Sequence, residues 1–157
     1  MTAQQEIAAS IVSNMVAVIL LLLSWKRKNI ARISFSLLFI WAAVINWKTA
    51  QYSPTDYLDY SRYAIPLYKH IIQGAFAKQI TGYVNCIAGG QLLIGLGLLS
   101  KDIIVKTACI GGIVFLIAIA PLGMGAAFPF SITASIGLWL LNRHRFTKTI
   151  FRNKWFV

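Results

Sequence analysis

The sequence predicts an all-α fold, a polytopic membrane helix bundle, and three observations point to it. Hydrophobic residues make up 58% of the 157-residue chain and charged residues 12%, whereas ordinary soluble domains carry roughly 25% charged residues. The mean hydropathy is +0.69. The apolar residues also fall into long runs, and a helix that crosses a membrane needs about 20 of them.

Five apolar runs predict membrane-spanning helices, at residues 7–25, 30–47, 80–99, 103–122 and 126–141. The first run is followed by its basic cluster, Lys26-Arg27-Lys28, and by no small-residue cleavage site, so we interpret it as a retained anchor rather than a signal peptide. The last two runs are separated by residues 121–129, whose prolines and glycines predict a tight turn at membrane depth. The chain then divides into an N-terminal anchor, a helix bundle and a basic tail, at residues 1–29, 30–142 and 143–157.

Basic residues predict the orientation, because cytoplasmic loops are enriched in Lys and Arg. With the amino terminus outside, four basic residues remain outside: Lys48, Arg62, Lys69 and Lys78. The other eleven fall on the cytoplasmic side: Lys26, Arg27, Lys28, Arg32, Lys101, Lys106, Arg143, Arg145, Lys148, Arg152 and Lys154. We expect a protein of the cell (inner) membrane with a cytoplasmic carboxyl terminus. We attribute the net charge of +11 to this asymmetry and to binding of anionic lipid headgroups by the tail, rather than to binding of nucleic acid.

One long extramembrane segment, residues 48–79, joins the second and third spans. Ser53 is a candidate N-cap for a short helix that starts at Pro54 and ends before Pro66, and Pro66 can open a second helix toward Ala77. Tyrosine prefers the membrane–water boundary, and five of the six tyrosines lie here: Tyr52, Tyr57, Tyr60, Tyr63 and Tyr68. We expect two short interfacial helices in this outer loop.

Neither a metal site nor a catalytic site is predicted. Cys86 and Cys109 lie at different predicted depths, so no disulfide is expected and each is expected to be a small buried residue. His70 and His144 are predicted on opposite faces of the membrane, without nearby ligands. The chain carries no phosphate-binding glycine loop, nucleophile elbow, zinc-protease helix or dinucleotide fingerprint. The lack of these motifs argues against an enzyme without excluding one.

Polar residues within the predicted spans need partners, because burying them without one is unfavourable. Four of them are amides: Asn14, Asn46, Asn85 and Gln91. The other two, Arg32 and Lys106, are cations near the inner ends, and their side chains are expected to extend to the surface. No acidic residue lies deep in a span, which argues against an ion-coupled transporter. The amides are expected either to hydrogen-bond between helices or to contact a polar ligand.

Small residues are concentrated in the second half of the chain, where they allow close approach of helices in lipid. Those of the third span follow spacings of three, four and seven and predict a smooth helix face: Gly82, Cys86, Gly89, Gly90 and Gly97. Gly111 and Gly112 of the fourth span are its expected counterpart.

Two stretches resemble the DoxX family of small integral membrane proteins. Residues 32–48, RISFSLLFIWAAVINWK, resemble the family's first span, which opens with Arg and ends at an outer Lys; residues 88–101, AGGQLLIGLGLLSK, resemble its glycine-rich second span. The resemblance covers residues 30–141 and implies a four-helix core to which the first helix is added as an anchor. Family members often carry Glu in the second span, where this chain has Asn85 or Gln91. Named members are small membrane subunits associated with quinone-linked oxidation, such as thiosulfate:quinone oxidoreductase.

Three functions remain open. The first is a non-catalytic accessory subunit or scaffold of a membrane complex, by resemblance a quinone-linked one, that works through a membrane protein partner or as a homo-oligomer. The second is a quinone- or lipid-binding protein with an intramembrane pocket. The residues predicted to line that pocket are Trp41, Asn46, Trp47, Asn85, Gln91, Pro121 and Pro129. The third is a small transporter.

Overall fold

The computed structural model describes residues 3–126 and 128–150, and all the regular secondary structure in this part of the chain is helical, without a strand. Its α-helices are α1 Ala3–Lys26, α2 Lys28–Tyr52, α3 Pro66–Ile71, α4 Ile80–Leu98, α5 Asp102–Ile119 and α6 Phe130–Asn142. Shorter elements connect them: the 3₁₀ helices Pro54–Arg62 and Ala120–Ala126 and the π-helical turn Ile72–Phe76. The predictions made for Arg152 and Lys154 fall outside the described residues.

Four stretches are long and apolar enough to cross a membrane: Ile7–Lys26, Lys28–Tyr52, Ile80–Leu98 and Asp102–Gly123. The described part of the chain is therefore an all-helical bundle with four candidate membrane spans, which confirms the coarse fold class that the sequence predicts. The fifth predicted span is shorter, because its helix begins at Phe130 rather than at residue 126. Its 13 residues rise only about 20 Å at 1.5 Å per residue, against a hydrocarbon core of about 30 Å.

The turn before α6 depends on one glycine. Gly123 has a φ of +63°, and a Cβ placed there would lie 2.6 Å from the carbonyl oxygen of Tyr63. Only glycine fits both the left-handed backbone and this close approach. The Gly123 carbonyl then accepts the Phe128 N–H at 3.1 Å, which closes the turn that ends one helix and orients the next.

One end of the bundle, here called the Arg32 end, holds the turn at Arg27, the turn between α4 and α5, and residues 143–150. The segment after α6 folds back over it. The Asp102 N–H donates to the carbonyl of Phe146 at 2.8 Å, and the Ile150 N–H donates to the carbonyl of Leu99 at 3.2 Å. The basic residues of both turns and of the segment after α6 thus gather at one end of the molecule.

The opposite end, here called the loop end, holds residues 53–79, 120–126 and 128–129. Both short helices predicted in this loop are confirmed, each beginning at its proline, although the first is a 3₁₀ helix and Ser53 makes no side-chain cap. They pack onto the end of α5: the Tyr68 hydroxyl donates to the carbonyl of Ala118 at 2.7 Å, and the Ile65 N–H donates to the carbonyl of Pro121 at 3.1 Å.

Arg32 lies in the core rather than at the surface, which corrects the expectation that its side chain extends outward. Only 1% of it is exposed. Its Nε donates to the carbonyl of Leu98 at 3.0 Å and its Nη2 to the carbonyl of Ser100 at 2.6 Å. The last carbonyls of a helix lack partners within the helix, so the guanidinium supplies donors and positive charge where α4 needs both.

Close packing of α4 against its neighbours occurs at Gly95 and Gly97. A Cβ on Gly95 would lie 2.7 Å from Cγ1 of Ile40 and 3.1 Å from the carbonyl oxygen of Ser36; a Cβ on Gly97 would lie 2.8 Å from Cβ of Ala108. The Ser36 hydroxyl also donates to the carbonyl of Gly95 at 2.7 Å. Small residues therefore set the separation of α4 from both α2 and α5.

Replacing Arg32 tests the link between α2 and α4. We expect Arg32→Leu to lower the free energy of unfolding in detergent micelles by about 3 kcal/mol, because two carbonyls lose donors from a charged group. The control is Lys106→Leu at the same end, expected to change it by less than about 0.5 kcal/mol. Unfolding by SDS, followed by circular dichroism, measures both. Equal losses in the two variants would contradict the assignment.

A pair of glycine substitutions on α4 tests the packing. Gly95→Ala is expected to lower the free energy of unfolding by about 1–3 kcal/mol, because the neighbouring α2 backbone cannot give way easily. Gly89→Ala is expected to be neutral or to stabilise by up to about 1 kcal/mol, because nothing lies within 4 Å of its Cβ position and alanine favours helix. The same titration ranks the variants, and the reverse order would refute the packing described.

Candidate functional site

Asn46 of α2 and Gln91 of α4 form the centre of a polar cluster between these antiparallel helices. Nδ2 of Asn46 donates to Oε1 of Gln91 at 2.7 Å, and the hydroxyl of Tyr57 donates to Oδ1 of Asn46 at 2.9 Å. Gln91 is only 4% exposed. The carboxamides therefore bind each other across the helix interface, and the 3₁₀ helix Pro54–Arg62 closes the cluster by contributing Tyr57.

A second polar contact lies nearer the loop end of the same interface. Nε2 of Gln51 donates to Oδ1 of Asn85 at 3.2 Å, and the Thr81 hydroxyl donates to the carbonyl of Ala50 at 3.1 Å. Asn85 and Gln91 are six residues apart on α4 and point to different sides of the helix, as the sequence predicts. Each meets its own partner on α2, so the polar residues run along the seam rather than forming one pocket.

Aromatic rings cover the cluster at the loop end. The ring of Tyr57 lies 5.9 Å from that of Tyr60 and 6.5 Å from that of Phe76, and Phe76 stacks on Tyr83 at 5.7 Å between centroids. Burial, together with the nearby Tyr60 and Asp56, raises the pKa of Tyr57 to about 12, and burial also raises the pKa of Tyr60. Both hydroxyls are therefore protonated at neutral pH, which suits Tyr57 as the donor to Asn46.

The other predicted pocket residues lie elsewhere. Trp41 lines a groove of about 290 Å³ between α1 and α2, together with Val16, Ile19, Leu20, Leu23, Ser34 and Leu38. Trp47 is exposed, the Pro121 carbonyl accepts the Ile65 N–H, and Pro129 precedes α6. The structure thus brings Asn46 and Gln91 together and places Trp41 in a different site.

The sequence reasoning missed the groove residues of α1 although their spacing carries a signal. Val16, Leu20 and Leu23 are separated by four and three residues, the spacing of one helix face. The signal was not specific, because nearly every position of this apolar run would satisfy some such spacing.

The outward face of α4 is its second distinctive surface. Gly82, Cys86, Gly89, Leu93 and Leu96 follow spacings of four, three, four and three residues and are all exposed. Nothing lies within 4 Å of a Cβ placed on Gly82, Gly89 or the neighbouring Gly90. We call Gly82, Cys86, Gly89, Leu93 and Leu96 the α4 outward face.

Two predictions about this surface are wrong. Cys86 is exposed, whereas Cys109 is buried as expected, and both thiols are free. Gly111 and Gly112 do not pair with the smooth stretch of α4: their Cβ positions meet Ile94, and Gly112 also meets Leu138 and Phe39. The reason is that α5 packs on the Ile94 and Gly97 side of α4, so Gly97 is covered while Gly82, Cys86 and Gly89 stay open.

Cations and one histidine meet at the Arg32 end. The ring of Phe146 lies 4.2 Å from the guanidinium carbon of Arg32, and His144 packs on Phe146 at 4.8 Å between ring centroids. Nδ1 of His144 lies 3.4 Å from Nζ of Lys28, and this contact is a hydrogen bond when the imidazole is neutral. Burial and the charges of Lys28 and Arg32 lower the pKa of His144, so the neutral form is favoured.

No cluster of three or more His, Cys, Asp or Glu side chains that could hold a metal ion occurs among residues 3–126 and 128–150. No protein-family model, curated protein or solved structure matches the chain. Function is therefore inferred from geometry.

A double-mutant cycle tests the centre of the polar cluster. Asn46→Leu and Gln91→Leu are each expected to destabilise the fold, because the first leaves the buried Oε1 of Gln91 without its donor and the second leaves Nδ2 of Asn46 without its acceptor. The double variant is expected to lose about 1 kcal/mol less free energy of unfolding than the two single losses added together. That difference is in the range found for hydrogen bonds between membrane helices. SDS unfolding measures the cycle. Strict additivity would show that the pair does not interact in the membrane protein.

Proposed function

We propose that the protein is a non-catalytic subunit or scaffold of a membrane complex and that it binds a membrane protein partner through the α4 outward face. The observation that carries the proposal is the exposure of Gly82, Cys86 and Gly89 on one face of a helix long enough to cross a membrane. Glycines on a lipid-facing surface present a shallow depression to any neighbouring helix.

Association of helices in lipid supports this choice. Lipid tails are as apolar as leucine side chains, so helices associate through close packing and hydrogen bonds, and small residues allow the backbones to approach. Within this chain Gly95 and Gly97 already serve that purpose against α2 and α5. The α4 outward face offers the same kind of surface on the other side of the helix, where no helix of residues 3–126 and 128–150 covers it.

The polar residues of the bundle support a structural role for the α2–α4 seam. Asn46 pairs with Gln91, and Asn85 pairs with Gln51. These contacts hold α4 in a fixed rotation relative to α2, with its smooth face outward. A scaffold needs such a fixed presentation, because a helix that rotates freely would present a different surface to its partner.

The resemblance of residues 30–141 to DoxX-like proteins supplies the rest of the proposal. On that reading α2, α4, α5 and α6 form the family core and α1 is an added helix. The basic Arg32 end faces the cytoplasm, with the amino terminus outside the cell (inner) membrane, in keeping with the enrichment of Lys and Arg in cytoplasmic loops. The partner is sought first among the subunits of a quinone-linked redox complex.

Cross-linking through Cys86 tests the proposal, because this exposed thiol lies within the α4 outward face. In a Cys109→Ala background, a maleimide–benzophenone reagent is added to native membranes; it bonds to the Cys86 thiol and, on irradiation, inserts into a C–H bond of its neighbour. It is expected to join Cys86 to a larger membrane protein that mass spectrometry identifies. Gly89→Leu is expected to reduce the adduct at least about tenfold without destabilising the chain, because a bulky residue blocks close approach.

A matched control places the thiol on another exposed helix surface. In a Cys86→Ala, Cys109→Ala background, Val114→Cys on α5, which is 63% exposed, is expected to give no adduct with that protein. Equal adducts from Cys86 and Val114→Cys would refute docking on this face. Cross-links between two copies alone would replace the subunit proposal with a homo-oligomer.

A further inference from the structure

The groove between α1 and α2 has the apolar lining and the position to receive part of one acyl chain. It has a volume of about 290 Å³ and is lined by aliphatic side chains, Trp41 and a single hydroxyl, that of Ser34. Small-molecule sites are mostly apolar and begin at about 300 Å³. The groove is open toward the surrounding lipid, since Val16, Ile19 and Trp41 are all exposed.

The groove spans one leaflet, measured from the α1–α2 turn. On α1, Leu23 lies about 5 Å and Val16 about 15 Å from Lys26 along the helix axis, at 1.5 Å per residue. On α2, Trp41 lies about 20 Å from Lys28 by the same measure. Half of a hydrocarbon core is about 15 Å thick. The groove therefore runs from near the Arg32 end to about the middle of the membrane, with Trp41 slightly beyond it.

Positive charge stands at the open end of the groove. Lys26 follows Leu23 by three residues, so it continues the α1 face that lines the groove, and Arg27 is the turn residue that joins α1 to α2. Both are exposed. Of the four acidic residues in the sequence only Asp102 lies at this end, and the ion pair found in the described part of the chain, Arg62 with Asp59, lies in the loop.

We propose that this groove binds one anionic glycerophospholipid, with an acyl chain between α1 and α2 and the phosphate on Lys26 and Arg27. The occupant follows from the combination of features. A chain-shaped apolar groove one leaflet deep fits a lipid tail, and an adjacent cationic pair fits a phosphate at headgroup level. The site differs from the α4 outward face, with which it shares no residue.

Native mass spectrometry of the purified full chain tests the site, with phosphatidylglycerol and phosphatidylcholine added in equal amounts. One phosphatidylglycerol is expected to stay bound at collision energies that remove phosphatidylcholine. Each basic residue lost near an anionic lipid is expected to weaken binding about fivefold, so Lys26→Gln with Arg27→Gln lowers the affinity about 30-fold. The matched control, Lys48→Gln with Lys69→Gln, removes the same charge at the loop end and is expected to leave the affinity unchanged.

A second pair of variants tests the acyl-chain groove itself. Val16→Trp fills the groove and is expected to displace the lipid, whereas Val18→Trp, on a different face of α1 and also exposed, is expected to retain it. Inorganic phosphate is tested alone and as a competitor. The proposal would be overturned if both lipids were retained equally, or if the two tryptophan variants had equal effects. It would also be overturned if inorganic phosphate displaced no lipid and bound equally well to the Val16→Trp variant.

Discussion

The two hydrogen bonds from the Arg32 guanidinium to the carbonyls of Leu98 and Ser100 are the constraint on which the bundle depends. The last carbonyls of a helix have no partners within the helix, and a buried carbonyl without a donor costs free energy. Arg32 answers this need from the first turns of α2. The start of α2 is thereby fixed to the end of α4, and an antiparallel pair of helices fixed at one end is aligned along its whole length.

That alignment explains the contacts farther along the seam. One turn beyond Arg32, Ser36 reaches the carbonyl of Gly95, and beyond it Asn46 reaches Gln91. The guanidinium itself needs no carboxylate, because the negative end of the α4 dipole and the face of Phe146 provide its favourable surroundings. Phe146 also explains why the segment after α6 folds back over this end, where it covers the buried charge.

The sequence predicted the elements well and their packing poorly, and one physical fact accounts for both. Apolar runs and the prolines at 54 and 66 determine where helices begin and end, so the first four predicted spans and both loop helices appear in the structure, whereas the fifth is a shorter helix. In a membrane, however, the surface is as apolar as the core, so hydropathy does not show which face of a helix is inside. Gly89 and Gly95 look alike in the sequence, yet one is open and the other touches the α2 backbone. The same ambiguity placed Cys86 in the interior and joined Trp41 to the amides.

Fixing α2 against α4 also determines what the protein can present to its surroundings. The face of α2 that meets α4 is occupied along its length by Arg32, Ser36 and Asn46, so α2 has only its remaining sides free. One of these meets α1 and forms the groove that contains Trp41. For α4, the side opposite the seam is the α4 outward face. A lipid in the groove and a partner on α4 would therefore contact opposite sides of one rigid pair, and neither would have to displace the other.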